Sequence, residues 1–137
     1  MKLLNRERGV RDIVVVAASA GGVEASLALV SALPGNAPVT IFLVIHRSPV
    51  LESQLAAVLQ RRTTFRVVEP GSGDMVRRRT VYLAPRDQHM VIEDGAIALD
   101  RGPKQHHTRP AADPLFRSAA TAYGSRVVAV ATDGNRN

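Results

Sequence analysis

From Ile13 to Ala17 the chain runs through five consecutive apolar residues, IVVVA. The run is too short for a confident helix and rich in β-branched valine, which predicts a strand covered on both faces, as in parallel α/β sheets. Gly21-Gly22 then let the backbone turn sharply, and Val23, Leu27 and Val30 recur at helical spacing until Leu33-Pro34-Gly35 stops the helix. Val39 to Ile45 (VTIFLVI) forms a second apolar strand ending on His46. Ser48-Pro49 opens a second helix reaching about Gln60, with Leu51, Leu55, Val58 and Leu59 on its apolar face. Phe65 to Val68 reads as a short third strand, and Gly71-Ser72-Gly73-Asp74 as a turn.

From Thr80 to Asp100 the period changes. VYLAP, HMVIED and AIALD are short alternating segments around Asp94-Gly95, which predicts a β-hairpin beside the sheet. Residues 101 to 109 (RGPKQHHTR) have no apolar period and read as a polar loop. Pro110 suits the first turn of a third helix that continues to about Tyr123, with Leu115, Phe116 and Ala119 inward and Gly124 as its stop. Arg126 to Thr132 carries a last apolar strand, VVAVA. The β-α alternation predicts an α/β fold: a three-layer, open, mainly parallel sheet with flanking helices, right-handed crossovers and a small β-hairpin.

Composition narrows the class. With 137 residues, 45% of them hydrophobic, the chain suits one domain over residues 12–137, with residues 1–11 as a loose basic tail. It has no cysteine, so neither a disulfide framework nor a thiolate nucleophile is available, which points to a cytoplasmic protein. No run approaches the roughly 20 apolar residues that span a bilayer, and the charged start MKLLNRERGVRD is unlike a signal peptide, so membrane insertion is not expected. The net charge of +6 favours an acidic partner. Nucleic acid is disfavoured, because the arginines are dispersed and not interleaved with stacking aromatics.

In open α/β sheets ligands lie outside the carboxyl ends of the strands. That rule groups Ser19 after the first strand, His46 after the second and Asp133 after the last. A serine hydroxyl becomes a nucleophile when a histidine takes its proton and a carboxylate fixes the tautomer of that histidine. The free amides of a helix N-terminus beside Ser19 suit an oxyanion. Each residue also has a plainer reading: Ser19 as a helix cap, His46 as a loop histidine, Asp133-Gly134 as an ordinary turn. The glycines could cradle a phosphate, although the spacings G-x-G-x-x-G and G-x-x-x-x-G-K-[ST] are absent. His89, His106 and His107 do not have a metal-ligand spacing.

Four ordered motifs resemble the catalytic domain of the chemotaxis protein-glutamate methylesterases across essentially residues 12 to 135. They are Ala18-Ser19-Ala20-Gly21-Gly22, Val44-Ile45-His46, Tyr82-Leu83-Ala84-Pro85-Arg86-Asp87-Gln88-His89-Met90, and Arg109-Pro110-Ala111-Ala112-Asp113-Pro114-Leu115-Phe116. The resemblance implies hydrolysis of glutamate methyl esters on chemoreceptors, in some members with glutamine deamidation, and no cofactor. Ser19 would be the nucleophile and His46 the general base, with amides near Ala20, Gly21 and Gly22 facing the oxyanion and His107 and Arg109 near the substrate. The family aspartate falls on Asn137 when aligned without a gap and on Asp133 with a deletion. Loss of that carboxylate would leave a catalytically impaired binding or signalling module, which is the alternative reading. The family's last-strand region extends further than this chain, so the domain is expected to be short at its C-terminus, with a central strand at 126–132 whose exposed apolar surface favours self-association. The receiver domain that commonly precedes the family's catalytic domain has no counterpart here, so phosphorylation in cis is not an expected control.

Overall fold

The computed structural model describes residues 11–19, 22–45, 54–104 and 109–132. In chain order the elements are β1 (Ile13–Ala18), α1 (Val23–Ala32), β2 (Thr40–Ile45), α2 (Leu55–Arg62), β3 (Arg66–Val68), β4 (Thr80–Leu83), β5 (His89–Glu93), β6 (Ala96–Asp100), α3 (Ala112–Tyr123), a 3₁₀ turn at Gly124–Arg126, and β7 (Val127–Thr132). Five strands make a parallel sheet in the order β3-β4-β2-β1-β7.

Why the strands read as continuous apolar runs is visible in their packing. Ile13 and Val15 of β1, Phe42 and Val44 of β2 and Tyr82 of β4 face a layer made by α3 and the β5–β6 hairpin, where Leu115, Ala119, Met90, Ile92 and Ile97 are buried. Their neighbours Val16, Ala18, Ile41, Leu43, Ile45, Val81 and Leu83 face the opposite way, onto Leu27 and Val30 of α1 and Leu59 of α2. Both faces are covered, so the polar half of the usual strand alternation is lost, and a three-layer α/β architecture results. Phe42 and Tyr82 stack across adjacent strands at 5.4 Å between ring centroids.

Several sequence expectations hold at residue level. The Asp94-Gly95 loop joins β5 and β6 with φ of 52° and 76°, the two left-handed residues that a tight hairpin turn requires. α3 stops at Tyr123, and Gly124 takes φ of 56°. Three expectations are corrected. Residues 80–83 do not belong to the hairpin: they form β4, inserted between β3 and β2 of the main sheet and buried at all four positions. The third helix begins at Ala112 and not at Pro110, because Ala111 is extended (φ −123°, ψ 157°) with its N–H drawn out of the helix onto His89. The Arg109–Pro110 peptide is cis. Within the described residues β7 pairs with β1 alone and so occupies the sheet's outer position, where a central one had been expected; its Ala129 and Ala131 are exposed. The expected start of the second helix at Ser48 and all but the last residue of the basic tail lie outside the described residues.

One ion pair closes the strand-start end of the sheet. Asp12, just before β1, accepts from Arg126 Nε at 2.9 Å and Nη2 at 3.0 Å. This fork holds the Asp12 carboxyl below the usual carboxylate range against an opposing push from burial. Arg126 also lies over the Tyr123 ring, 5.1 Å from its centroid.

Candidate active site

Parallel register brings three strand ends level. Ala18 pairs with Ile45 of β2 on one side and with Thr132 of β7 on the other. In sequence the next residues are Ser19, His46 and Asp133, the three singled out for chemistry. Ser19 is exposed at the carboxyl end of β1. Its carbonyl accepts from Gly22 N–H at 2.8 Å, and its own N–H donates to the Thr132 carbonyl at 3.3 Å, one more rung of the β1–β7 ladder. Gly22 holds the N-cap position of α1, three residues after Ser19. His46, Asp133, Asn137, Ala20, Gly21 and His107 lie outside the described residues.

Gly22 is required by proximity and not by conformation. Its φ of −95° is open to any residue, but a Cβ there would lie 2.6 Å from both the carbonyl oxygen and Oγ1 of Thr132. Two hydroxyls fill the same seam: Ser26 Oγ donates to the Gly22 carbonyl at 3.0 Å and lies 3.4 Å from Thr132 Oγ1, which reaches the same carbonyl at 3.4 Å. The turn after β1 is thereby fastened to the end of β7.

A cleft of about 210 Å³ opens beside Ser19, lined by Ala17, Ala18, Val44, Pro110, Ala111 and Ala112. Its walls are small and apolar, a shape suited to a short aliphatic side chain. The far wall is the Pro110-Ala111 segment, held in place by Arg109. Nε of Arg109 donates to the Asp87 carbonyl and to Asp87 Oδ1, each at 3.0 Å, Nη2 donates to Oδ1 at 2.8 Å, and Nη1 reaches the carbonyls of Arg101 (3.2 Å) and Gly102 (3.1 Å). With a second cation, Arg101, 3.6 Å from Oδ2, the Asp87 carboxyl sits below the usual range, chiefly through the Arg109 hydrogen bonds. Arg109 was expected near the substrate; its guanidinium is occupied by these groups, and it reaches the cleft through the backbone that follows it.

Sequence reasoning gave no role at this site to four residues that shape it: Ser26, Thr132, Asp87 and His89. Asp87 and His89 fall inside the third quoted motif, whose spacing from Arg109 gave a signal that could have paired them. Ser26 and Thr132 carry no local signal at all. Among the described residues no group of three or more His, Cys, Asp or Glu could hold a metal ion, and no helix is long and apolar enough to cross a membrane.

A family model, CheB methylesterase, matches residues 14–135. The chain belongs to the CheB methylesterase family. It is 36% identical over 132 residues to a protein of Methanosarcina acetivorans named protein-glutamate methylesterase/protein-glutamine glutaminase 2, covering 90% of this chain and 37% of that one. A protein of the same name from Methanosarcina mazei is 32% identical over 139 residues (96% and 38%), and a Pyrococcus abyssi protein named protein-glutamate methylesterase/protein-glutamine glutaminase is 36% identical over 128 (90% and 35%). In solved structures, the CheB methylesterase catalytic domain of Thermotoga maritima matches with a TM-score of 0.80 at 33% identity, over 88% of this chain and 66% of that one. The chain thus spans less than two fifths of each of these curated relatives. The five-stranded parallel sheet with flanking helices is the fold of that catalytic domain.

Proposed function

We propose that this chain carries serine-type ester hydrolysis on the γ-methyl ester of glutamate side chains in chemoreceptors, in the cytoplasm, with glutamine deamidation as the parallel reaction of the same site. The observation that carries the reading is the level row Ala18, Ile45 and Thr132, since Ser19, His46 and Asp133 each follow one member of it. Ser19 Oγ attacks the ester carbonyl while His46 accepts its proton. The oxyanion of the tetrahedral intermediate takes hydrogen bonds from the amides of Ala20 and Gly21, ahead of the α1 N-terminus, where the helix dipole favours negative charge; Gly22, expected to join them, has its N–H engaged by the Ser19 carbonyl at 2.8 Å. The intermediate collapses as His46 returns the proton to the leaving oxygen, releasing methanol and leaving glutamyl-Ser19. Water, deprotonated by His46, then attacks the acyl carbon, and the glutamate carboxylate and Ser19 hydroxyl are regenerated. With a primary amide the same sequence releases ammonia. Asp133 orients the imidazole and offsets its positive charge.

The small apolar cleft beside Ser19 takes the methylene stem and methyl group of the side chain. The net charge of +6 favours approach to an acidic receptor helix bundle. Methanol release from a methylated receptor, parent against Ser19→Ala, tests the assignment. A fall of at least about a thousandfold is expected, given the cost of removing a triad nucleophile; equal rates would sink it.

A further inference from the structure

His89 is 3% exposed, and no step of ester hydrolysis uses it. It is the first residue of β5, and its ring joins two backbone groups that lie outside β5 and its partner β6. Nε2 lies 2.8 Å from the Pro103 carbonyl oxygen, and the Ala111 N–H donates to Nδ1 across 3.3 Å. A carbonyl only accepts and an amide N–H only donates, so the two partners select the neutral ring carrying its proton on Nε2.

Ala111 is itself buried and lines the same cleft as Ser19. It is the N-cap of α3, so its N–H has no intrahelical carbonyl to bond, and Nδ1 of His89 supplies the acceptor. We infer that His89 is a positioning residue of the ester site: through Nδ1 it holds the Ala111 wall at the separation from Ser19 that the substrate side chain fills. The inference rests on Ser19 being the nucleophile of that cleft. The Arg109–Asp87 fork grips the same segment just before Pro110, so the base of the hairpin holds the wall at two points.

The role predicts a specific kinetic signature. A wall that contacts the substrate side chain alike in ground and transition states contributes to KM and not to kcat. His89→Leu removes both hydrogen bonds; His89→Gln keeps one acceptor and one donor at similar separation. On a glutamyl γ-methyl ester peptide His89→Leu is expected to raise KM about tenfold with kcat within about threefold, and His89→Gln to recover most of the loss. Amide hydrogen exchange at Ala111 should accelerate at least about tenfold in His89→Leu and return toward the parent rate in His89→Gln. A role in folding alone would lower the active fraction, and so the apparent kcat, while leaving KM in place. Unchanged KM in folded His89→Leu, or unchanged exchange at Ala111, overturns the inference.

Should His89→Leu not fold, His89→Asn decides, since its Oδ1 takes the Nδ1 position and its side chain falls short of Pro103. KM must then stay near the parent value; a tenfold rise with Ala111 still protected overturns the assignment. Dissociation constants of the same peptide for Ser19→Ala, with and without His89→Leu, separate this inference from the catalytic reading. No turnover in the parent together with a weakened dissociation constant in the double variant refutes the esterase reading alone, whereas an unchanged constant refutes the positioning role.

Discussion

Gly22→Ala should be far more damaging than its place before a helix suggests. As the N-cap of α1 the position prefers glycine to alanine by only a modest margin, and φ of −95° imposes no strain on alanine. The obstacle is one methyl group: it would meet the Thr132 carbonyl oxygen at 2.6 Å, Oγ1 at 2.6 Å and the carbonyl carbon at 2.9 Å. Two of these three atoms are backbone and cannot swing aside, so β7 or the Ser19 turn must shift. Overpacking of this kind costs about 1–3 kcal/mol, which for a domain of this size lowers Tm by roughly 4–12 °C. The displaced residue is Thr132, whose carbonyl accepts from Ser19 N–H, so the damage reaches the row that sets the candidate triad. Urea and thermal unfolding, read with methanol release, measure both effects. Gly71→Ala is the control, because a Cβ at Gly71 meets nothing within 4 Å. Adding Thr132→Ala removes the Oγ1 clash and leaves the carbonyl one, so the double variant should recover only part of the lost stability. Gly22→Ala within about 0.5 kcal/mol of the parent and fully active would refute the close-approach argument.

Further outcomes follow from other contacts. Asp12→Asn should cost about 1–2 kcal/mol at pH 7, since the carboxylate is largely buried while Arg126 is partly solvent-screened. The folded carboxyl is held below its ordinary value near 4, so its contribution is fully present above that pH and is lost as pH falls through the lower folded value. The gap between the parent and Asp12→Asn in urea unfolding should therefore narrow at acid pH, and a gap as wide at pH 3 as at pH 7 would contradict the ion-pair account. Tyr82→Phe keeps the stack on Phe42 but loses the hydroxyl that donates to the Met75 carbonyl at 3.0 Å and accepts from Arg77 N–H at 2.8 Å; calorimetry should show a loss of about 1–2 kcal/mol. Arg109→Lys cannot reproduce a fork onto Asp87 and two loop carbonyls, so kcat/KM for the ester should fall about tenfold with little change in Tm. Retention of activity within about twofold would show that the wall does not depend on that fork.

Much of the fold was legible because its cause is local. Runs such as Ile13–Ala17 and Thr40–Ile45 are apolar without alternation since helices or the hairpin cover both faces, and Asp94-Gly95 and Gly124 sit where positive φ is needed. β4 was misassigned for a physical reason. Its four residues are as buried as those of β2, but three arginines before it and Ala84-Pro85 after it leave a segment no longer than a hairpin arm. Only pairing with β2 and β3 distinguishes the two, and pairing is not written in local period. At the site, Ser19 was legible from the strand, turn and helix around it. The contacts that hold it were not: Gly22 against Thr132 spans 110 residues, and Ala111 against His89 spans 22. Such contacts exist only once the chain has folded.

The row formed by Ala18, Ile45 and Thr132 bears on how this domain tolerates change. Because β1 is hydrogen-bonded to β2 and β7 together, it acts as a common ruler, and the spacing of the candidate triad is measured across strands and not along the chain. Lengthening a connection at the strand-start end, such as the one after α1 or before β4, leaves that ruler untouched, and loop closure charges only slowly for added length. Inserting one residue within β1, β2 or β7 would advance a single member of the row by about 3.3 Å and turn its side chains to the opposite layer. Diversity in this architecture is therefore cheap in its connections and nearly forbidden in three short strands.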